Sequence, residues 1–539
     1  MLFVVGLLAI LAFAHAHLDG PLESYTQEQL ISEIQSLRHQ SQKSFNPFVT
    51  SNSAACCPAG KIAVCKGCEL TTCGPNADCF VANEQITCFC RQGYVGDPKK
   101  GCKKSSNSGG NGDPHYHTLD GTYYDYHGTC PYFFSKPCKP SSSSSYYVVK
   151  AKNKLYNPRS SVAYVDQVQV EMHGQVIHLD ANLNLNVNGL NTFYPFYFPS
   201  KTGAKVSVVL RGNRVHVKNS DGVQLVFGKE YISLDVPQVN EFLGKDGLCG
   251  FSGNLNNDCT DDLIGADGVG LIQKNCVYPA DRNTLTKIAK VLDTWRTNDF
   301  YGWNPAGTGC ELGEVVAPKL PDCDTTQSAR DCLPIQQASN GQGPFAACKI
   351  LGTDRIQKLY ESCTFDGCYI PGSKCLSFTN FIAECQAAVG NLNLPNWRTV
   401  TGCPMNCAQI TPFSVYDACI SGCQPTCNNP VVTQECNTGC HEGCKCGDGY
   451  ILDESANPPK CVKTNECPCI DKYGQSHPQG NSWLSNQCTE LSVCLSGQIY
   501  ERGYQCPNHS TCGTEDGYMA CVCNAGYKWN SSKTDCIAA

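Results

Sequence analysis

Residues 112–130 read GDPHYHTLDGTYYDYHGTC and crowd His115, His117 and His127 against Asp113, Asp120 and Asp125. Imidazole and carboxylate at this density are the ingredients of a zinc or copper centre, or of acid–base work. A second run, GNLNNDCTDDL at residues 253–263, offers different chemistry: Asn254, Asn256, Asp258, Asp261 and Asp262 present carboxylate and amide oxygens with no imidazole among them. Oxygen donors select a hard cation, and several clustered acids favour calcium over magnesium. The Asn-x-Asn spacing aims both side chains into one tight turn. In the histidine-rich run, aromatic residues alternating with Asp and Gly suit the edge of a β-hairpin. The three histidines are therefore read as strand and turn residues rather than as a metal triad. No nucleophile elbow, His-Glu-x-x-His or phosphate loop is present, and the chain reads as a non-enzyme.

The elements that position these residues follow from the whole chain. Its 539 residues exceed one core and imply several domains. A net charge of −7 gives no basic surface for nucleic acid. The 41 cysteines belong to an oxidising, extracellular setting. Residues 1–16, MLFVVGLLAILAFAHA, have the apolar core and Ala-His-Ala end of a signal peptide, and no later run approaches the roughly 20 apolar residues of a membrane span. Residues 17–55 contain an amphipathic helical segment. Residues 56–102 form a cysteine-rich region whose Cys68, Cys73, Cys79, Cys88, Cys90 and Cys102 resemble an epidermal-growth-factor-like module. That resemblance implies bridges Cys68–Cys79, Cys73–Cys88 and Cys90–Cys102. Residues 103–111, rich in Ser, Gly and Asn, read as a flexible linker. Between Cys138 and Cys249 cysteines vanish and short alternating strands take over, predicting an antiparallel sandwich or barrel. Helical patterning returns in DRIQKLYESC and LSFTNFIAECQAAVG. The last region, 468–539, ends in a Cys-x-Cys-x-x-Gly-Tyr echo of the N-terminal module, with sequons at Asn508 and Asn530.

GDPHYHTLDGTYYDYHGTCPYFF, GLCGFSGNLNNDCTDDL, DTWRT, NWRTVTGCP and CHEGCKCGDGYILDESANPPKCVKTNEC occur in that order. Together they resemble the D-assembly of von Willebrand factor, gel-forming mucins, zonadhesin, tectorin and the IgG-Fc-binding protein. The resemblance implies a type D domain at 112–310, an eight-cysteine module at 323–403 and a trypsin-inhibitor-like module at 404–467. The expected fold is an antiparallel all-β type D domain flanked by small disulfide-rich modules, with some helix in the eight-cysteine module. In this family the aspartate of the Thr-Leu-Asp-Gly turn, here Asp120, meets the distant glycine-rich loop to hold a metal ion. Asp258 would then contribute its backbone carbonyl and Asp261 or Asp262 a carboxylate, with calcium as the cofactor. Implied bridges are Cys130–Cys310 and Cys138–Cys249, with an added Cys259–Cys276. Ser252 stands where most relatives carry a second cysteine, and that cysteine's usual partner is missing too.

The resemblance implies a secreted structural or adhesive protein of mucus, coat or matrix, binding extracellular proteins or glycans. The odd cysteine falls among Cys56, Cys57 and Cys65, implying disulfide-linked self-association. The alternative is a protease inhibitor: its reactive loop would be CNTGC, with Thr438 at the specificity position before Gly439, a poor anchor for trypsin or chymotrypsin. Some relatives also cleave an Asp–Pro bond in GDPH, the Asp carboxylate attacking its own carbonyl and proline nitrogen leaving. Asp113 and Pro114 are in place for this.

Overall fold

The computed structural model describes residues 73–539 apart from short internal stretches, the longest being 428–439. The expected signal peptide, the 17–55 helix, Cys56, Cys57, Cys65 and Cys68 lie outside the described residues, as do Asp113, Thr438, Gly439 and the side chain of Cys79.

The alternating stretches become two antiparallel sheets. In one, strands Val206–Arg211, Arg214–Asn219, Gln224–Gly228 and Tyr231–Pro237 lie side by side, and His115–His117 and Tyr123–Asp125 close its far edge. The other is built around Pro131–Pro137, Tyr147–Leu155, Ala163–Met172 and Gln175–Asp180. Side chains alternate across a strand, so every second residue faces inward. Val208 pairs with Val217, Val217 with Leu225 and Leu225 with Leu234, and all four are fully buried. Opposite them Val149, Val170 and Ile177 form an equivalent ladder. Both ladders join one core, each side chain contributing about 1.5–3 kcal/mol by leaving water.

Residues 103–111 are not a linker. They lie within an eleven-residue strand, Gly101–Asn111, paired along its length with Tyr231–Pro237 and then with His115–His117. The small residues are there for close packing. A Cβ on Gly109 would lie 2.6 Å from the Ile232 carbonyl oxygen, and one on Gly110 would lie 2.6 Å from the Tyr116 ring. The β domain consequently begins before residue 112. In the DTWRT segment, Asp293–Trp295 form a helical turn after helix Arg282–Leu292.

Bridges Cys130–Cys310, Cys138–Cys249 and Cys259–Cys276 staple this domain, and Cys73–Cys88 and Cys90–Cys102 staple the region before it. Ser252 is fully buried and its hydroxyl meets that of Ser135 at 2.8 Å, a hydrogen bond where a sulfur would otherwise stand. Helices Thr326–Ala338, Thr353–Tyr369 and Lys374–Val389 pack around Phe345, Phe381 and Trp397, with four further bridges. Beyond residue 404 short hairpins and disulfides enclose only a small buried cluster of Cys427, Ile451, Val462 and Cys467 among the described residues. No helix among the described residues is long and apolar enough to cross a membrane.

Candidate metal centre

Asp120 sits at the turn between strands His115–His117 and Tyr123–Asp125, and the loop 253–263 lies against it. Its Oδ2 accepts the backbone N–H of Asn256 at 2.8 Å. Asp262 is 2 % exposed; one carboxylate oxygen takes the Thr118 hydroxyl at 2.5 Å, and Oδ1 is buried with no partner. Asn254, 4 % exposed, gives its Nδ2 to Asp261 at 3.1 Å, which leaves its Oδ1 buried and unmatched as well. Buried oxygens without a hydrogen donor are costly in a folded protein. A cation bound by Asn254 Oδ1, Asp262 Oδ1 and Asp120 would remove that cost, and the chemistry of this donor set fits a hard ion such as calcium.

The other acids have different occupations. Asp261 holds Lys245 at 2.8 Å and the amide nitrogens of Asn254 and Asn256 at 3.1 Å each. Partial burial alone would raise its carboxyl, but the Lys245 ammonium and the two amides bring it below the usual range. Asp258 is exposed and its carboxylate caps Thr260, at 3.0 Å to the amide and 2.6 Å to the hydroxyl. Of the two acids the resemblance offered, Asp262 is thus the one with an unmet oxygen. Burial pushes Asp262 up to about 7, with the Asp120 charge adding to it, and burial likewise raises Asp120. Sequence reading missed Thr118 and Lys245, whose roles depend on tertiary placement; only the Thr-Leu-Asp-Gly turn hints at Thr118.

The three histidines share no ligand position. His115 is clamped between Asp125 Oδ1 at 2.7 Å and Asp366 Oδ1 at 2.9 Å. His117 meets Asn107 Oδ1 at 2.9 Å and stacks on Tyr123. His127 is 2 % exposed, and burial drives its imidazole down to about 4. Pro114 is buried beside this strand. Of the sequons, Asn508 is exposed, whereas the amide of Asn530 is half-buried and bonded to Thr534.

The modules interlock through polar groups. Asp366 belongs to helix Thr353–Tyr369, so the His115 clamp joins sheet to helix. Arg355 binds Glu384 at 2.6 Å, and Glu384 also accepts from Asn111 of strand Gly101–Asn111 at 3.3 Å. Farther on, Glu442 from CHEGC receives Arg398 at 2.6 Å and the Trp397 indole at 2.9 Å, both from NWRTVTGCP. Two sequence motifs are therefore halves of one buried ion pair.

Comparison with known families places a von Willebrand factor type D domain at residues 109–269 and a C8 domain at 332–404. A trypsin inhibitor-like cysteine-rich domain follows at 411–467 and a TILa domain at 468–522. The TILa match covers residues 468–522 of the C-terminal region, and no epidermal-growth-factor-like match accompanies it among these domains. The region's last six cysteines nonetheless pair first to third, second to fourth and fifth to sixth. Mouse zonadhesin is 28 % identical over 86 % of this chain, mouse alpha-tectorin 28 % over 76 %, and human IgGFc-binding protein 28 % over 87 %. The chain spans only 8 % of that zonadhesin and 18 % of that tectorin. The protein carries a von Willebrand factor type D domain followed in order by C8, trypsin inhibitor-like and TILa domains.

Proposed function

We propose that this chain is a secreted structural or adhesive component of an extracellular coat, mucus or matrix, braced by calcium and by disulfides. It would act by binding extracellular proteins or glycans and by linking to other chains, not by catalysis. One observation carries this: the chemistry-bearing residues are spent on bracing. His115, Glu442 and Glu384 hold modules together, every cysteine from Cys130 to Cys403 and from Cys469 to Cys536 is bridged within the chain, and the loop that bonds Asp120 carries the unmet oxygens of Asn254 and Asp262. Relatives named for an adhesin and for IgG Fc binding agree with a binding role. In the trypsin inhibitor-like domain, commitment of Glu442 to Arg398 supports a bracing role over inhibition.

The test is calorimetry of the purified, secreted protein with calcium and with EDTA, alongside thiol titration. Calcium should raise the melting temperature and few thiols should react. Abundant free thiols and a melt indifferent to chelation would refute the proposal.

A further inference from the structure

A cationic cluster lies where the outer face of the sheet containing Arg214–Asn219 meets the C8 and trypsin inhibitor-like domains. Arg214, His216 and Lys218 alternate along strand Arg214–Asn219 and so share one face, while Val215 and Val217 face the core. Arg211 on the neighbouring strand is directly opposite Arg214. Like charges opposed across a sheet repel, so this pairing opposes the fold unless something offsets it. From the covering domains come His441, whose ring lies 5.4 Å from that of His216, and Asn380, whose oxygen accepts Arg214 Nη2 at 3.0 Å. Arg214 also lies over the Tyr231 ring at 3.6 Å.

Three nitrogens at this seam are buried and unmatched: His216 Nδ1, His441 Nε2 and Asn380 Nδ2, the last on a side chain only 3 % exposed. The charged groups acting on the two rings are Arg211 and Arg214, and the carboxylate acting on Lys218 is Asp97. Glu384, nearby, is already held by Arg355 and Asn111. The seam is thus rich in donors and poor in acceptors, the converse of the calcium loop. We propose that it binds a sulfate-type oxyanion, present either as free sulfate or as a sulfate ester on a glycan chain, with Arg211, Arg214, Lys218, the Asn380 amide and the two imidazoles as donors. All five ionisable side chains are half-buried, leaving an edge from which an anion enters.

The electrostatics agree with this geometry. Burial lowers Arg211 to about 10; burial and Arg211 together lower Lys218. Burial, then the arginines, push His441 down to about 4, and His216 falls well below its usual value for the same reasons and because of His441. A bound anion opposes each of these shifts by favouring the charged forms.

The experiment uses the full chain. Inorganic sulfate is titrated against chloride at matched ionic strength, with the melting temperature and calorimetric binding as readouts. Sulfate should stabilise the wild type and a distant charge control, Lys274→Gln with Lys287→Gln. It should bind Arg211→Gln with Lys218→Gln about tenfold or more weakly. Equal responses from the two double variants overturn the site. If the seam variant fails to fold, hydrogen exchange at the histidine C2 position in wild-type protein decides: sulfate must raise the pKa of His216 and His441, and unchanged values overturn the proposal. Chondroitin sulfate against unsulfated hyaluronan then identifies the source. Displacement of sulfate by the sulfated chain alone points to a glycan, and no displacement points to the free ion. Only this glycan arm rests on the extracellular binding role proposed above, so its failure is distinct from failure of the site.

Discussion

At the scale of single residues, Asp262 is the most informative position. Burial holds its carboxyl near 7, whereas an unfolded aspartate titrates near ~4. Without a cation the folded form therefore binds its proton more tightly than the unfolded form. The resulting penalty is absent below about pH 4, grows as pH rises, and is complete above about pH 7. A calcium ion bound as proposed would offset the penalty by stabilising the carboxylate. The loss of melting temperature on adding EDTA should consequently be larger at pH 8 than at pH 5. Asp262→Asn should remove most of that pH dependence together with the calcium response. A chelator effect that is equal at both pH values would exclude Asp262 as a ligand. Nearby, Asp261→Asn should cost the Lys245 pair and loop order while retaining the pH dependence, because its carboxyl lies below the usual range.

Among the elements, strand Gly101–Asn111 shows where sequence was legible and where it was not. Valine-rich strands such as Val206–Arg211 and Arg214–Asn219 announce themselves by alternation, since burial of one face demands it. The run SSNSGGN has neither alternation nor β propensity; it is a strand through its ladders with Tyr231–Pro237 and His115–His117, and Ile232 and Tyr116 approach too closely for larger residues at Gly109 and Gly110. Gly109→Ala should therefore destabilise by about 1–3 kcal/mol, read as a shifted denaturant midpoint. The oxygen-rich loop was legible because its donors are contiguous; Thr118 and the partnership of Glu442 with Arg398 were not, because folding alone brings them together. The same holds for His115 and Asp366, which are 251 residues apart. Burial alone would lower His115, but Asp125 and Asp366 raise it well above its usual value. This docking contribution is fully present below about pH 6.5 and is lost as pH rises through the folded value. Asp366→Asn should be less stable than wild type at pH 6, and should show a smaller alkaline loss of melting temperature. Parallel alkaline limbs for the two proteins would exclude the clamp.

For the whole molecule the governing question is whether its cross-links stop at its own boundary. The six cysteines of the type D region, the eight from Cys323 to Cys403 and the eight from Cys469 to Cys536 all close within the chain. The ten between Cys407 and Cys467 are an even set, and Cys73, Cys88, Cys90 and Cys102 pair among themselves. With Cys68 and Cys79 expected to pair, an odd number is left at Cys56, Cys57 and Cys65. The 41 cysteines of this sequence are an odd number, and in an oxidising compartment a leftover thiol would be available to pair with another chain. Secreted protein should therefore run as a dimer or larger species without reductant and as a monomer with it. Replacing Cys56, Cys57 and Cys65 together with serine removes the whole odd remainder and leaves an even number of cysteines. It should convert the larger species to monomer while leaving the calcium-dependent melt of the type D domain unchanged, because that domain's bridges are complete without them. A wild-type chain that runs as a monomer under both conditions would confine its cross-links to bracing and exclude covalent assembly.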